Sequence, residues 1–374
     1  MEVDDWQELL LGEVLTFQRG FDLPHSKRQP GDIPVVSSSG ISGTHSEARV
    51  TSPGIVTGRY GTVGEVFFIN KDFWPLNTTL FVKNFKGNDP LFISFLLRII
   101  DFQPFSGKSG VPGVNRNDLH SIKVKLPPLP EQKSIAQALS DVDAAIAELD
   151  RLITKKRNIK QGTMQQLLTG KKRLPGFSSE WEEKKLGTLA DIKRGASPRP
   201  IDSPIWYDNS SNVGWVRISD ITASNGRVLE RTRDYLSDKG IAGSRFLPTG
   251  SLIMSICATV GIPVITNIDT CIHDGFVGFS KLNDVDKVFL YYKLKEMENN
   301  FRARGQTGSQ SNLNSDLVRD CIIQLPTIEE QKAIAQVLTD MDTEIEALDQ
   351  KRDKYKAIKQ GMMQELLTGR TRLV

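Results

Sequence analysis

Cysteine is scarce in this chain of 374 residues: Cys257, Cys271 and Cys321 are the three, all in the second half, and no two form a C-x-x-C pair. That argues against a disulfide framework and a paired-thiolate zinc site, and fits a reduced, cytoplasmic setting. The four histidines, His25, His45, His120 and His273, are scattered without metal-ligand pairing at helical spacing. Structural or surface roles are expected of them, and no bound metal. Long hydrophobic runs are missing as well. No stretch approaches the ~20 apolar residues of a membrane span, and the segment from Met1 to Leu10 carries four acidic residues and no apolar core, unlike a secretion signal. Asn77-Thr78-Thr79 and Asn209-Ser210-Ser211 match the glycosylation triplet, but without such a signal they are chance matches. Neither sign of charge dominates. A net charge of +3 and a pI near 8.6 are mildly basic, short of what one chain neutralising a long phosphate backbone would carry.

What is present is ordinary globular material, 39% hydrophobic and 25% charged, long enough for two domains and connecting structure. The strongest feature is an internal repeat. Leu126 to Leu174 and Leu325 to Leu373 align without a gap, with 27 of 49 positions identical. Each copy opens on a Leu-Pro turn and places Glu131-Gln132 or Glu330-Gln331 in the first turn of a helix, where carboxylates suit the dipole. Ile135, Leu139, Val142, Ile146, Leu149 and Ile153 then recur at steps of four and three, as do Ile334, Leu338, Met341, Ile345 and Leu348 before Arg352 interrupts. That spacing predicts a coiled-coil seam. Each run ends at Gly170 or Gly369, in the position glycine favours after a helix. A helix from Glu131 to Thr169 would be about 58 Å long, too long for the inside of a small domain.

The segments ahead of the helices share anchors at constant spacing: Trp6, Leu11-Gly12 and Arg19-Gly20 correspond to Trp181, Leu186-Gly187 and Arg194-Gly195. Pro53 to Ile69 and Thr249 to Ile265 read as strand, turn, strand, with a common Thr-Val-Gly starting at Thr62 and Thr259. A polar, glycine-rich loop closes each globule, Gly107 to Asn117 and Gly305 to Asn314. The predicted fold is mixed α/β (α+β): two strand-rich globules, related by a pseudo-twofold, separated by two long helices forming an antiparallel coiled coil. The predicted segments are 1–125, helix 126–174, 175–324 and helix 325–374.

No enzyme site can be defended from spacing. Ser106-Gly107-Lys108-Ser109 resembles the end of a P-loop, but the required first glycine would fall at Phe102. The glycines of Gly58 to Gly64 are wrongly spaced for a dinucleotide fold and lack the following helix, so turn glycines explain them.

The run LPPLPEQKSIAQALSDVDAAI, the run KRNIKQGTMQQLLTGKKRLPGF with its repeat, GRYGTVG and PGVNRNDLHSIKVKLPPLPEQ together resemble the specificity subunits of Type I restriction-modification enzymes, over essentially the whole chain. The resemblance implies a non-catalytic subunit in which each globule is a target recognition domain for one half of a bipartite site in double-stranded DNA. The helices would then be spacer and docking surface for two methyltransferase subunits, to which restriction and translocation subunits can be added. It also implies a prokaryotic, cytoplasmic setting, host defence and no cofactor on this chain, S-adenosylmethionine being expected on the partner methyltransferase. The Asn-Pro-Pro-aromatic or Asp-Pro-Pro-aromatic motif of such an adenine methyltransferase is missing here. A self-contained Type II-like enzyme would need a fused catalytic domain, and a mere coiled-coil connector would have no reason to carry two divergent globules with shared anchors.

For DNA contact the candidates are polar and basic loop residues: Arg59, Tyr60, Lys108, Ser109, Asn115 and Arg116 in the first globule, and Arg217, Ser219, Gln306, Ser309, Gln310 and Asn312 in the second. Arginine suits the guanine edge, and asparagine or glutamine the adenine edge. Solvated turns with local backbone bonds are the alternative for each. The stretch from Arg151 to Ser179 holds eight basic residues and no acidic one. It fits either phosphates or an acidic partner, or simple complementation of the helix dipole.

Overall fold

Strand Gly54–Gly58 is buried along its whole length because it is the inner strand of a sheet covered on both faces, which is why it reads as a β-branched run rather than an alternating one. It pairs antiparallel with Val66–Ile69, Val56 facing Phe67, and with Thr79–Asn84, Val56 facing Phe81. Thr16–Arg19 completes four strands on the far side of Thr79–Asn84. The computed structural model describes residues 6–106, 113–224, 227–305 and 313–373. Its contacts divide the chain into two units, Met1–Leu152 with Leu348–Val374, and Ile153–Ala347.

In the first unit a second sheet holds Gly40–His45, Ile33–Ser37 and Trp74–Pro75, the last pair parallel. An antiparallel ribbon of Gln7–Leu10 with Lys123–Leu126 closes the globule at the Leu-Pro turn. Helix Pro90–Ile99 starts where the Asp89 carboxylate accepts the Phe92 N–H at 2.8 Å, with Pro90 at the first helical position. It buries Phe92, Phe95 and Leu96 against Leu11, Phe17, Ile55 and Leu80. Each such side chain contributes about 1.5–3 kcal/mol when fully buried.

The second unit repeats this plan. A five-stranded sheet runs Asp191–Arg194, Phe276–Ser280, Leu252–Ser255, Pro263–Thr266, Val228–Leu229, and a four-stranded one runs Asp234–Tyr235, Gly214–Val216, Thr270–Ile272, Arg245–Leu247. The ribbon is Glu182–Lys185 with Ile322–Leu325. Helix Lys287–Glu296 is capped by Asp286, whose carboxylate accepts the Val288 and Phe289 N–H groups at 2.9 Å each. Both strand-turn-strand expectations hold, the second as Leu252–Ser255 against Pro263–Thr266 with Ile253 facing Val264.

The two long helices span Leu129–Leu167 and Ile328–Leu366, 39 residues each, starting and ending two residues earlier than the first copy's pattern predicts. Gly170 and Gly369 follow them with φ of +69° and +73°, the left-handed conformation that glycine adopts without strain. Within the first unit the two helix halves run antiparallel: Asp143 pairs with Lys359 at 2.5 Å and Asp150 with Arg352 at 3.6 Å. Within the second, Asp342 pairs with Lys160, and Glu344 with Lys156 at 2.6 Å. Asp143 and Asp342 are equivalent in the repeat, as are Lys359 and Lys160.

The seam departs from expectation at the helix starts. Ile135 and Leu139 belong to the core of the first globule, beside Phe92 and Leu366, and Ile334 and Leu338 to that of the second, beside Leu167 and Phe289. The globule covers those first turns, so there they serve a domain core. Leu149, Ile153 and Ile345 are buried, whereas Val142, Ile146, Met341 and Leu348 stay partly exposed.

Candidate nucleic-acid interface

In the first unit the turn after Gly58 is held by main-chain bonds: the Arg59 and Tyr60 N–H groups donate to the Thr78 carbonyl at 2.9 and 3.1 Å. The Arg59 carbonyl in turn accepts the Val114 N–H at 2.9 Å, which brings the base of the polar loop to the turn. Tyr60 bridges to Gly113, where a Cβ would lie 2.3 Å from the tyrosine ring and would force that ring to shift. The Arg59 guanidinium sits 4.6 Å from the centre of that ring, within cation–π range. Ser38, in the turn from Ile33–Ser37 to Gly40–His45, borders the same surface, 3.2 Å from where a Gly58 Cβ would sit. Asn115 accepts the Asn117 N–H at 3.0 Å and caps the short helix Arg116–His120, the local bond named as its alternative. Arg116 is exposed.

In the second unit the same main-chain pattern recurs on other side chains. The Ile256 N–H donates to the Gly275 carbonyl and the Leu313 N–H to the Ile256 carbonyl, both at 2.8 Å. Ile256 and Cys257 therefore stand where Arg59 and Tyr60 stand in the first unit. The common Thr-Val-Gly carries that register, whereas the candidates expected from sequence in this unit are Arg217 and Ser219. These follow strand Gly214–Val216, which pairs parallel with Thr270–Ile272 as Ile33–Ser37 does with Trp74–Pro75. Arg217 thus matches Ser37 and Ser219 matches Ser39. Lys108, Ser109, Gln306, Ser309, Gln310 and Asn312 lie outside the described residues.

Arg217 is tied into its own unit. Its Nε lies 2.8 Å from Asp234 Oδ2, its guanidinium donates to the Tyr207 hydroxyl at 3.3 Å, and its backbone N–H donates to Asp220 at 2.8 Å. Two residues after Ile272, the strand partner of Val216, the Asp274 carboxylate accepts the Ser197 hydroxyl at 3.0 Å and an Arg199 N–H at 3.2 Å. Burial pushes the Asp274 carboxyl up, but Ser197, His273 and Arg199 outweigh it and hold it below the usual range. No motif marks this carboxylate in the sequence.

Three histidines serve the backbone: His45, His120 and His273 accept the N–H of Gln29, Phe17 and Gly275 at 3.0, 3.0 and 2.8 Å. Burial pushes Cys271 up to about 11, and Cys257 and Cys321 shift upward for the same first cause, so these thiols are poor nucleophiles. Among the described residues no group of three His, Cys, Asp or Glu side chains could hold a metal ion, and no helix is long and apolar enough to cross a membrane. Four members of the basic run are engaged by carboxylates of this chain: Arg151 by Glu148, Lys156 by Glu344, Lys160 by Asp342 and Arg173 by Glu330.

Residues 3–160 and 178–356 match the family model of the Type I restriction modification DNA specificity domain. The chain is 25% identical over 407 residues to the Type I restriction enzyme MjaVIII specificity subunit of Methanocaldococcus jannaschii, covering 99% of this chain and 94% of that one. To the putative type I restriction enzyme MjaX specificity subunit of the same organism it is 27% identical over 315 residues, 80% and 72% of the two chains. The crystal structure of a Type I restriction-modification S subunit from M. genitalium superposes with a TM-score of 0.65 at 15% identity, over 98% of this chain and 96% of the other. At that identity the likeness speaks for the fold.

Proposed function

This chain belongs to the Type I restriction-modification DNA specificity family, and from that premise we propose that its two units each read one half of a bipartite, asymmetric DNA site and thereby place adenine-N6 methyltransferase subunits on it. Specificity is the family's task, and catalysis falls to other subunits. The observation that carries the bipartite reading is one backbone frame bearing different side chains twice. Arg59 and Tyr60 are replaced at the same main-chain positions by Ile256 and Cys257, and Ser37 by Arg217. A scaffold kept while its contact positions change is what two readers of different sequences need, because phosphate contacts position a reader and base contacts specify.

The repeat also favours two copies of one partner. Ile159 and Ile358 are equivalent and both exposed, at 45% and 43%. Three residues on, Gly162 and Gly361 lie inside the helices with nothing within 4 Å of where a Cβ would be. Glycine costs about 1 kcal/mol relative to alanine there, with no neighbour in this chain to require it. A bare, partly apolar patch occurring twice suits the close approach of two identical methyltransferase subunits, which would bring the S-adenosylmethionine; a restriction subunit can be added, and the setting is the prokaryotic cytoplasm.

Mapping N6-methyladenine across the host genome with and without this gene tests the proposal. One motif of two short half-sites, lost on deletion, is the expected result. A methylation pattern unchanged by deletion would overturn it.

A further inference from the structure

We infer that Arg217 is a pre-oriented guanine reader of the half-site assigned to the second unit, and that Asp234 is its positioning residue. The inference rests on the bipartite reading above and adds a base and a residue to it. Three observations converge on this side chain.

Position is the first. Arg217 directly follows strand Gly214–Val216. Its counterpart in the first unit, Ser37, ends the strand whose turn borders Arg59 and Tyr60. The parallel pairing is the same in both units, Val36 with Pro75 and Val216 with Ile272. The backbone is common, and the side chain is what differs.

Restraint is the second. A free arginine loses much rotamer freedom when it binds, and that loss subtracts from discrimination. Here Asp234 Oδ2 lies 2.8 Å from the buried Nε, a charge contact that is not aligned as a hydrogen bond, while the Tyr207 hydroxyl accepts a terminal N–H at 3.3 Å and the Tyr207 ring lies 6.0 Å from the guanidinium carbon. Asp220 fixes the main chain from which the side chain departs, through the Arg217 N–H at 2.8 Å.

Exposure is the third. The Arg217 side chain keeps 41% of its surface and Asp234 30%, although Arg217 Nε itself is buried, so the carboxylate lies against a covered part of a side chain that is otherwise partly open. A planar fork presented this way matches O6 and N7 of guanine, the pairing to which lysine offers only a point charge.

The test is methylation mapping in the native host, with the whole complex, for wild type, R217K, D234N and D234E. In wild type one half-site, identified by which half responds, contains guanine at the affected position. R217K is expected to relax that single position, lowering discrimination by about tenfold or more, with the other half-site and the spacing unchanged. D234N is expected to relax the same position less, and D234E to restore it in part, with every other position unchanged; a purely structural ion pair would instead lower methylation at all positions alike. If R217K abolishes all methylation because the chain no longer folds, D234N decides in its place. The inference is overturned if R217K or D234N keeps wild-type stringency at every position, or if the relaxed base is not guanine. Should the wild-type gene govern no bipartite motif at all, it is the underlying reading that fails.

Discussion

Arg372 and Glu131 meet across 241 positions of sequence: the arginine Nε donates to Oε1 at 2.8 Å and its terminal nitrogen to Oε2 at 2.8 Å. The Trp6 indole N–H and the Leu373 N–H donate to the same carboxylate, each at 3.2 Å. The second unit repeats the clamp, with Arg173 and Trp181 on Glu330; Trp6 packs on Gly369, where a Cβ would come within 3.1 Å of the indole, and Trp181 faces Gly170 at ordinary contact distance.

Breaking the clamp should loosen each unit separately. Glu131 is almost fully buried and Arg372 partly exposed, with side-chain exposures of 4% and 27%. E131A removes the carboxylate shared by the Arg372 guanidinium, the Trp6 indole and the Leu373 N–H, so a loss of about 2–4 kcal/mol is expected. Urea denaturation of E131A and E330A should show comparable losses, and a change below about 0.5 kcal/mol in both would mean that the clamps are incidental.

Acidification should destabilise the chain in two stages. Burial lowers the His120 value below the usual 6.5, with Arg116 and Lys86 adding to the effect. Burial likewise lowers His273. For a depressed histidine the unfolded chain binds more protons between the folded value and about 6.5, so stability rises with pH through that window and is lost as pH falls through the folded value. Glu131 follows at lower pH. Burial raises its carboxyl, but Arg372, Leu373 and Trp6 hold it below the usual 4.5, so its contribution is present above about 4.5 and lost below. Denaturation midpoints from pH 8 to pH 4 should fall first near and below 6.5, and H120Q with H273Q should flatten that first stage. An unchanged profile in the double variant would refute the assignment.

How far the sequence disclosed this arrangement depends on the element. The long helices and their glycine ends were plain, because the 49-residue repeat carries them twice in register. The clamp is not legible in either copy alone, although Glu131, Arg173 and their counterparts Glu330 and Arg372 recur in both: a glutamate in a first helical turn already suits the dipole, and its arginine comes from the other repeat. Ile135 and Leu139 fit the seam by spacing, yet spacing cannot tell a partner helix from a globule that covers the same face. At the candidate interface, Thr62 and Thr259 mark the shared register of the two turns. That Ile256 takes the main-chain bonds of Arg59 depends on the Leu313 and Gly275 contacts, which no local pattern encodes.

Substitution at the bare helix positions separates stability from assembly. G162A and G361A should each stabilise the isolated chain by about 0.5–1 kcal/mol, since alanine is the better helix former and open space receives the methyl group. The same changes should weaken capture of the methyltransferase subunit in co-purification, and I159D and I358D should do so without any gain in stability. Full assembly of all four variants would show that this patch faces no partner.

The central claim, that each unit reads its own half-site, is met most directly by exchange. Pro175 to Gln324 would be replaced by the corresponding segment of a relative, with Trp181 and Leu186-Gly187 retained so that the Glu330 contact and the ribbon still form. The methylated motif of the hybrid would then be mapped in the host. The expected result is a motif in which one half changes while the other half keeps its sequence. A hybrid that methylates actively with both halves altered, or with neither altered, would contradict it.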